Sequence, residues 1–175
     1  MSVTVTIYSV DWAEAERAAA AGDGAGPFFE ALDLEPAWLQ PVDDSGFEDS
    51  GHAAIDLREA CDALKGTLDE DAHAALDRLA ATLLGEAAAP RELDAAICEE
   101  MELAAALSPE RASEFAERLA RLDAARLGAA FEGAGCPAPQ GVLATRERFL
   151  GYVDVVARMF GAAAAARRGL LVLTA

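Results

Sequence analysis

Positive charge is scarce in this chain. Fourteen basic residues face 31 acidic ones over 175 positions, a formal net charge of −17, and only Lys65 of the fourteen is a lysine. A surface this acidic repels phosphate backbones and anionic lipid, which speaks against nucleic acid as a direct ligand and against a charged membrane surface. Long apolar runs are missing too. The stretch Met159–Ala166 is apolar but short, with an arginine on either side, and nothing nears the roughly 18 apolar residues of a membrane span. The opening MSVTVTIYSVDW lacks a basic start and its apolar residues alternate with threonine, so no targeting segment is read there. Cysteine is limited to Cys61, Cys98 and Cys136, odd in number and far apart. That pattern predicts free thiols in a reducing, cytoplasmic setting and leaves no closely spaced pair to hold zinc.

What the chain does have is alanine and a modest set of larger anchors. The apolar fraction is 53%, enough for the core of one domain over residues 1–175, with close helix packing around Leu, Val, Ile and Phe. Val3, Val5 and Ile7 alternate with Thr4, Thr6 and Tyr8, the period of two that marks a strand over residues 3–9. Asp11 with Glu14 three residues on has the spacing of a capped helix start, and the helix runs to about Ala20. The glycines at 22, 24 and 26 end it, and Pro27 suits the first position of a short helix carrying Phe28, Phe29 and Leu32. Residues 40–52 combine Pro, Gly, Ser and four carboxylates and read as a loop.

Helical spacing dominates the rest. Leu57, Cys61, Leu64 and Leu68 share one face. Thr67 and Glu70 have capping-box spacing for a helix to Leu84, striped by Ala72, Leu76, Leu79 and Leu83. Residues 92–107 favour helix by propensity alone. Ser108-Pro109 opens a helix whose stripe is Ala112, Phe115, Leu119 and Leu122, and Asp123 restarts a short one through Leu127 to Phe131. A loop spans Gly133 to Gly141. Thr145 then caps the longest helix, with Phe149, Val153, Val156 and Phe160 inside. Arg167 and Arg168 favour its C-terminal dipole, and Gly169 is read as its stop. Leu170–Leu173 reads as a buried strand. Strands at the chain ends with helices between predict an α+β fold, a small sheet including both terminal strands and covered by several helices.

The order of these features resembles the YfbM-like family of small bacterial proteins, whose function is unknown. Three places carry the likeness: Val3 to Glu16; Ile55-Asp56-Leu57 with the short helix after it; and Leu107-Ser108-Pro109-Glu110-Arg111 followed by Phe115, Leu119 to Asp123, the helix Phe149–Phe160 and Gly169–Leu173. The resemblance implies an α+β fold and a strand around residues 102–106, against propensity. Members often carry a Trp and a nearby His on the helix after the Leu-Asp stretch, where Cys61 and Lys65 stand here. No activity is implied.

Candidate chemistry is sparse. Asp43, Asp44, Glu48 and Asp49 are oxygen ligands of the kind calcium or magnesium needs, but their spacing is not that of an EF-hand and a solvated acidic loop is the commoner outcome. The histidines are His52 and His73. Asp69 and His73 share a helix face, the geometry of half a metal site or a general-base pair and, more often, of a plain surface pair. Cys136-Pro137 sits in a loop with no cation nearby in sequence to depress its pKa, which points to an ordinary free thiol. The glycines at 22, 24 and 26 follow a helix rather than a strand and lack the Gly-Lys-Ser/Thr ending, so they read as a turn and not a phosphate loop. Trp12, Trp38, Phe28, Phe29 and Phe47 gather in the N-terminal third. Phe47 stands alone among carboxylates, either as an apolar anchor in a charged rim or as a pin holding the loop to the body.

These observations call for no cofactor and no metal. They favour a non-enzymatic acidic binding protein, on the pattern of an immunity protein covering a basic toxin, with Asp43, Asp44, Phe47, Glu48 and Asp49 as the candidate contact residues. The alternative is an enzyme acting on a small molecule through a pocket assembled from distant residues.

Overall fold

Strand β1 (Val5–Val10) forms where β-branched residues alternate, and its inward set Val5 and Ile7 is buried. The structure, a computed structural model, describes residues 4–22, 24–32, 35–36 and 50–174. After β1 come α1 (Trp12–Ala21) and α2 (Ala25–Ala31), the two-residue strand β2 (Glu35–Pro36), α3 (Ser50–Ala63), α4 (Glu70–Leu84) and α5 (Ala95–Glu100). Then follow β3 (Leu103–Leu107), α6 (Pro109–Ala120), α7 (Ala124–Gly133), α8 (Arg146–Ala165) and β4 (Gly169–Thr174). This is the α+β arrangement the sequence predicts.

The sheet order is β2-β1-β4-β3. β4 pairs antiparallel with β1, Val5 opposite Thr174, and antiparallel with β3, Leu107 opposite Leu170. The last strand in chain order is thus an inner one, buried on both faces, which explains its continuous apolar run. Leu170 and Val172 enter one core with α3, α4, α6, α7 and α8, and Leu171 enters a second with α1, α2 and α5. The sheet is therefore sandwiched between two helical layers. No helix among the described residues is long and apolar enough to cross a membrane.

Capping fixes most helix starts. The side chains of Asp11, Ser108 and Thr145 each accept a backbone N–H three residues on, and Asp123 accepts from Ala125 and Arg126. Four boundaries differ from the sequence reading. α4 is capped by Asp69, whose carboxylate accepts Ala72 N–H at 2.9 Å, while Thr67 Oγ1 donates to Leu64 C=O in the preceding turn. Ser50, Gly51 and His52 are helical rather than loop. α2 begins at Ala25, two residues before Pro27. Gly169 does not stop α8. Arg167 takes the left-handed conformation with φ 55°, and Gly169 opens β4, where a Cβ would meet the Trp12 ring and lie 2.8 Å from Leu107 O.

Residues 92–107 resolve into both readings. α5 has the helix that propensity favours, and β3 is the strand that the resemblance implies. Glu102, at φ 52°, makes the bend between them. The β3–β4 register then shifts between Leu103 and Ala105, so that Ala104 and Ala105 both enter the α3/α4 core. The outer edge of β3 is partly covered: Ala106 N–H donates to Pro90 C=O and Glu92 N–H donates to Ala106 C=O.

Two polar clamps tie the larger layer together. Arg58 of α3 donates from Nε to Glu86 at 2.7 Å and from one terminal nitrogen to Asp77 at 2.6 Å. Burial alone lowers the Arg58 pKa, and the hydrogen bonds to Glu86 and Asp77 outweigh it, leaving the guanidinium more firmly charged than usual. Asp56, a buried carboxylate on α3, accepts Leu143 N–H at 2.8 Å and so fastens the segment before α8.

Candidate functional site

The acidic loop residues Asp43, Asp44, Phe47, Glu48 and Asp49, and Trp38 with them, lie outside the described residues. Several other candidates have structural work. His73 is half-buried and its Nε2 lies 3.1 Å from Cys61 C=O, which pins the start of α4 to α3, while Asp69 beside it is spent on the helix cap. His52 is exposed in the first turn of α3. Among the described residues no three of His, Cys, Asp and Glu converge as a metal cage.

The thiols differ sharply. Cys61 is fully buried, and loss of solvent pushes its pKa up to about 12 against a partial opposing pull from Arg58. Cys98 is also buried and shifted upward by desolvation. Cys136 is only half-buried, in a left-handed turn at φ 57°. The Gly22–Gly26 segment makes two helix ends, with Gly22 closing α1 and Gly24 preceding α2. Ala25 N–H donates to Glu100 Oε1 at 3.2 Å, so a carboxylate of the chain itself sits where a phosphate would.

Trp12 and Phe28 carry the aromatic cluster inward. Phe28 is buried and meets Phe29 edge-on at 5.7 Å between ring centres. Trp12 packs beside Gly169 and donates its indole N–H to Glu16 at 3.0 Å.

A concave surface of about 780 Å³ lies between the start of α4, the end of α6 and α7. Thr67, Leu68, Asp69 and Asp71 come from one side, and Arg118, Arg121, Leu122 and Arg126 from the other. The two sides are about fifty residues apart in sequence. A second, shallower groove of about 440 Å³ lies on the other flank of the α6–α7 turn and is mostly aliphatic. Leu122 and Leu127 border both.

Compared with protein-family models, curated proteins and solved structures, the chain matches none. Its own charge pattern is therefore the main functional signal.

That pattern is strongly segregated. Residues 1–110 carry 25 acidic and 5 basic side chains, and residues 111–175 carry 6 and 9, so −20 on the first segment and +3 on the second make up the net −17. The fold turns part of this linear asymmetry into a spatial one: α3 and α4, with Glu59, Asp62, Glu70, Asp71 and Asp77, share a layer with α6, α7 and α8, whereas the small helical layer is almost purely acidic. On the small helical layer α1, α2 and α5, Arg17 is the only cation in the helices, while Glu16, Glu30, Glu99 and Glu100 project as exposed carboxylates. Arg111, Arg118, Arg126, Arg146, Arg148 and Arg158 all belong to α6, α7 and α8 on the opposite side of the sheet. Overall composition hides this division. A running charge count along the chain would have found it, and the three arginines of the groove with it.

Proposed function

We propose that this protein is a non-catalytic binding module whose acidic layer receives a basic protein, in the manner of an antagonist that masks a basic toxin, within a fold of the YfbM-like kind. The observation that carries the reading is the placement of exposed carboxylates on α1, α2 and α5, away from the arginines of α6 to α8. Separated charge makes a directional field, which speeds encounter with a complementary surface and orients it. Were the same charges mixed, net charge would serve solubility alone.

The test begins with capture from native cell extract at low salt, followed by association kinetics with the partner retained. Neutralising Glu16, Glu30 and Glu99 together slows association, and the wild-type association rate falls steeply as salt brings the screening length to about 8 Å. Dissociation changes less, because packed contacts hold the complex. A partner that binds the neutralised variant as fast as wild type overturns the reading. The rival reading, an enzyme acting on a small molecule, draws on the α4/α6/α7 groove and predicts that the neutralised variant keeps full activity in the cell.

A further inference from the structure

We infer that the groove between α4, α6 and α7 is a binding site for a small amphipathic anion, a carboxylate or phosphate head on a short apolar body. The inference stands apart from the acidic layer and does not rest on it.

The volume of about 780 Å³ falls within the range of small-molecule sites, and far exceeds what packing imperfections leave. The apolar part is real: Leu68, Leu122 and Leu127 line the groove together with alanines of α4 and α7. The polar lining includes three arginines, Arg118, Arg121 and Arg126, from two helices and the turn between them, beside Asp69, Asp71 and Asp123. Planar N–H forks match carboxylate and phosphate oxygens.

These arginines are held less tightly than Arg58, Arg111 and Arg158. Arg58 is held at 2.5–2.7 Å by two carboxylates, and Arg111 and Arg158 have partners at 3.0 and 2.9 Å. In the groove, Arg126 reaches Asp69 and Asp123 only at 3.9 Å, and Arg121 reaches Glu117 only at 3.9 Å. Arg118 has no ion pair among the described residues. Three aspartates share the rim: Asp71 is exposed in the first turn of α4, and the other two cap helices. Asp69 accepts Ala72 N–H, and Asp123 accepts Ala125 and Arg126 N–H, each cancelling the positive end of its own helix. What faces the groove is thus three loosely held arginines, with two of the three rim aspartates committed to helix caps, over an aliphatic floor. An anion with an apolar tail pairs with the arginines and covers the leucines.

The experiment is calorimetric titration of the full chain with sodium octanoate and, separately, octyl phosphate, at low ionic strength, with octyltrimethylammonium as the opposite-charge control. The expected result is saturable one-to-one binding of at least one of the two anions, with Kd below about 1 mM, and none of the cation. The anion that binds more tightly names the head group. Shortening octanoate weakens binding by about two- to fourfold per methylene removed. Arg118→Gln, which breaks no ion pair of the described fold, weakens binding at least about tenfold, and Arg118→Gln with Arg126→Gln abolishes it. Arg17→Gln on the far layer leaves it unchanged. Failure of both anions to bind, equal binding of the cation, or an Arg118→Gln protein that is folded and binds like wild type each overturns the inference.

Discussion

Replacing Asp56 by alanine tests how the segment before α8 is held. The carboxylate is 8% exposed and accepts Leu143 N–H at 2.8 Å, and Leu143 is itself fully buried. Alanine leaves that N–H without its acceptor in a place water does not reach. Hydrogen bonds to charged groups are worth about 1.5–3 kcal/mol, and an orphaned buried donor costs about 1–3 kcal/mol. Removing a desolvated carboxylate offsets part of this, so the net loss is about 2 kcal/mol. Asn keeps an acceptor oxygen and loses only the charge, so Asp56→Asn costs about half as much. Urea unfolding reads both values as a drop in midpoint at constant slope. For a chain of this size the alanine variant should also melt about 4–8 °C lower. A second perturbation checks the location. A Cβ at Gly141 would run into the Asp56 carboxylate, so Gly141→Ala is harmful in wild type and much less so when Asp56 is already alanine. If Asp56→Ala lies within about 0.5 kcal/mol of wild type, or if the two changes simply add, the carboxylate does not hold this segment.

Four further outcomes follow from the packing. Phe149 is fully buried and stacks on Phe131 at 4.7 Å between centres, so Phe149→Ala should cost about 3–5 kcal/mol in chemical denaturation; a change near zero contradicts the placement of α8. Gly169→Ala forces a Cβ against Trp12 and Leu107 O and should lower the melting temperature while quenching or shifting the tryptophan fluorescence, whereas an unshifted melt refutes the contact. In native protein a thiol reagent should modify Cys136 quickly and Cys61 and Cys98 only on unfolding, and Cys136→Ser should remove the fast phase. The Cys61 pKa rises from 9.0 to about 12 on folding, so its protonated form favours the native state fully below pH 9 and that share is lost as pH climbs from 9 towards 12, at up to about 1.4 kcal/mol per pH unit; stability flat across that window argues against burial of the thiol.

Much of the fold is legible because its signals are local. Asp11, Ser108, Asp123 and Thr145 begin helices for reasons contained in three or four residues, and the stripe Phe149, Val153, Val156 and Phe160 is one face of one helix. Misreadings occur where a local signal has two solutions. Thr67 and Asp69 both offer a cap, and the carboxylate of Asp69 wins while the Thr67 hydroxyl turns back to Leu64. Gly169 looks like a helix stop, yet it is glycine because Trp12, from the other end of the chain, occupies the space of its side chain. β2 is two residues long and has no period to detect. The groove is illegible for the same reason as Gly169. Leu68 and Asp69 have nothing in common with Arg118 and Arg126 until α4, α6 and α7 pack, and only the clustering of arginine after residue 110 hints that they meet.

The position of β4 has a consequence for how the chain comes into being on a ribosome. Strands β1 and β3 have no direct ladder with each other; each waits for the strand that lies between them, and that strand follows every other element in the order of synthesis. Until residue 174 emerges, the nascent chain can assemble helical hairpins but presents two apolar strand edges with nothing to fill the gap. Closing it joins Val5 to Thr174 and Val10 to Gly169, contacts that span almost the whole length described, so the decisive step is a late and non-local insertion with a correspondingly slow rate. The chain is thus at its stickiest just before β4 emerges, when a chaperone holding the open seam would matter more than at any earlier point.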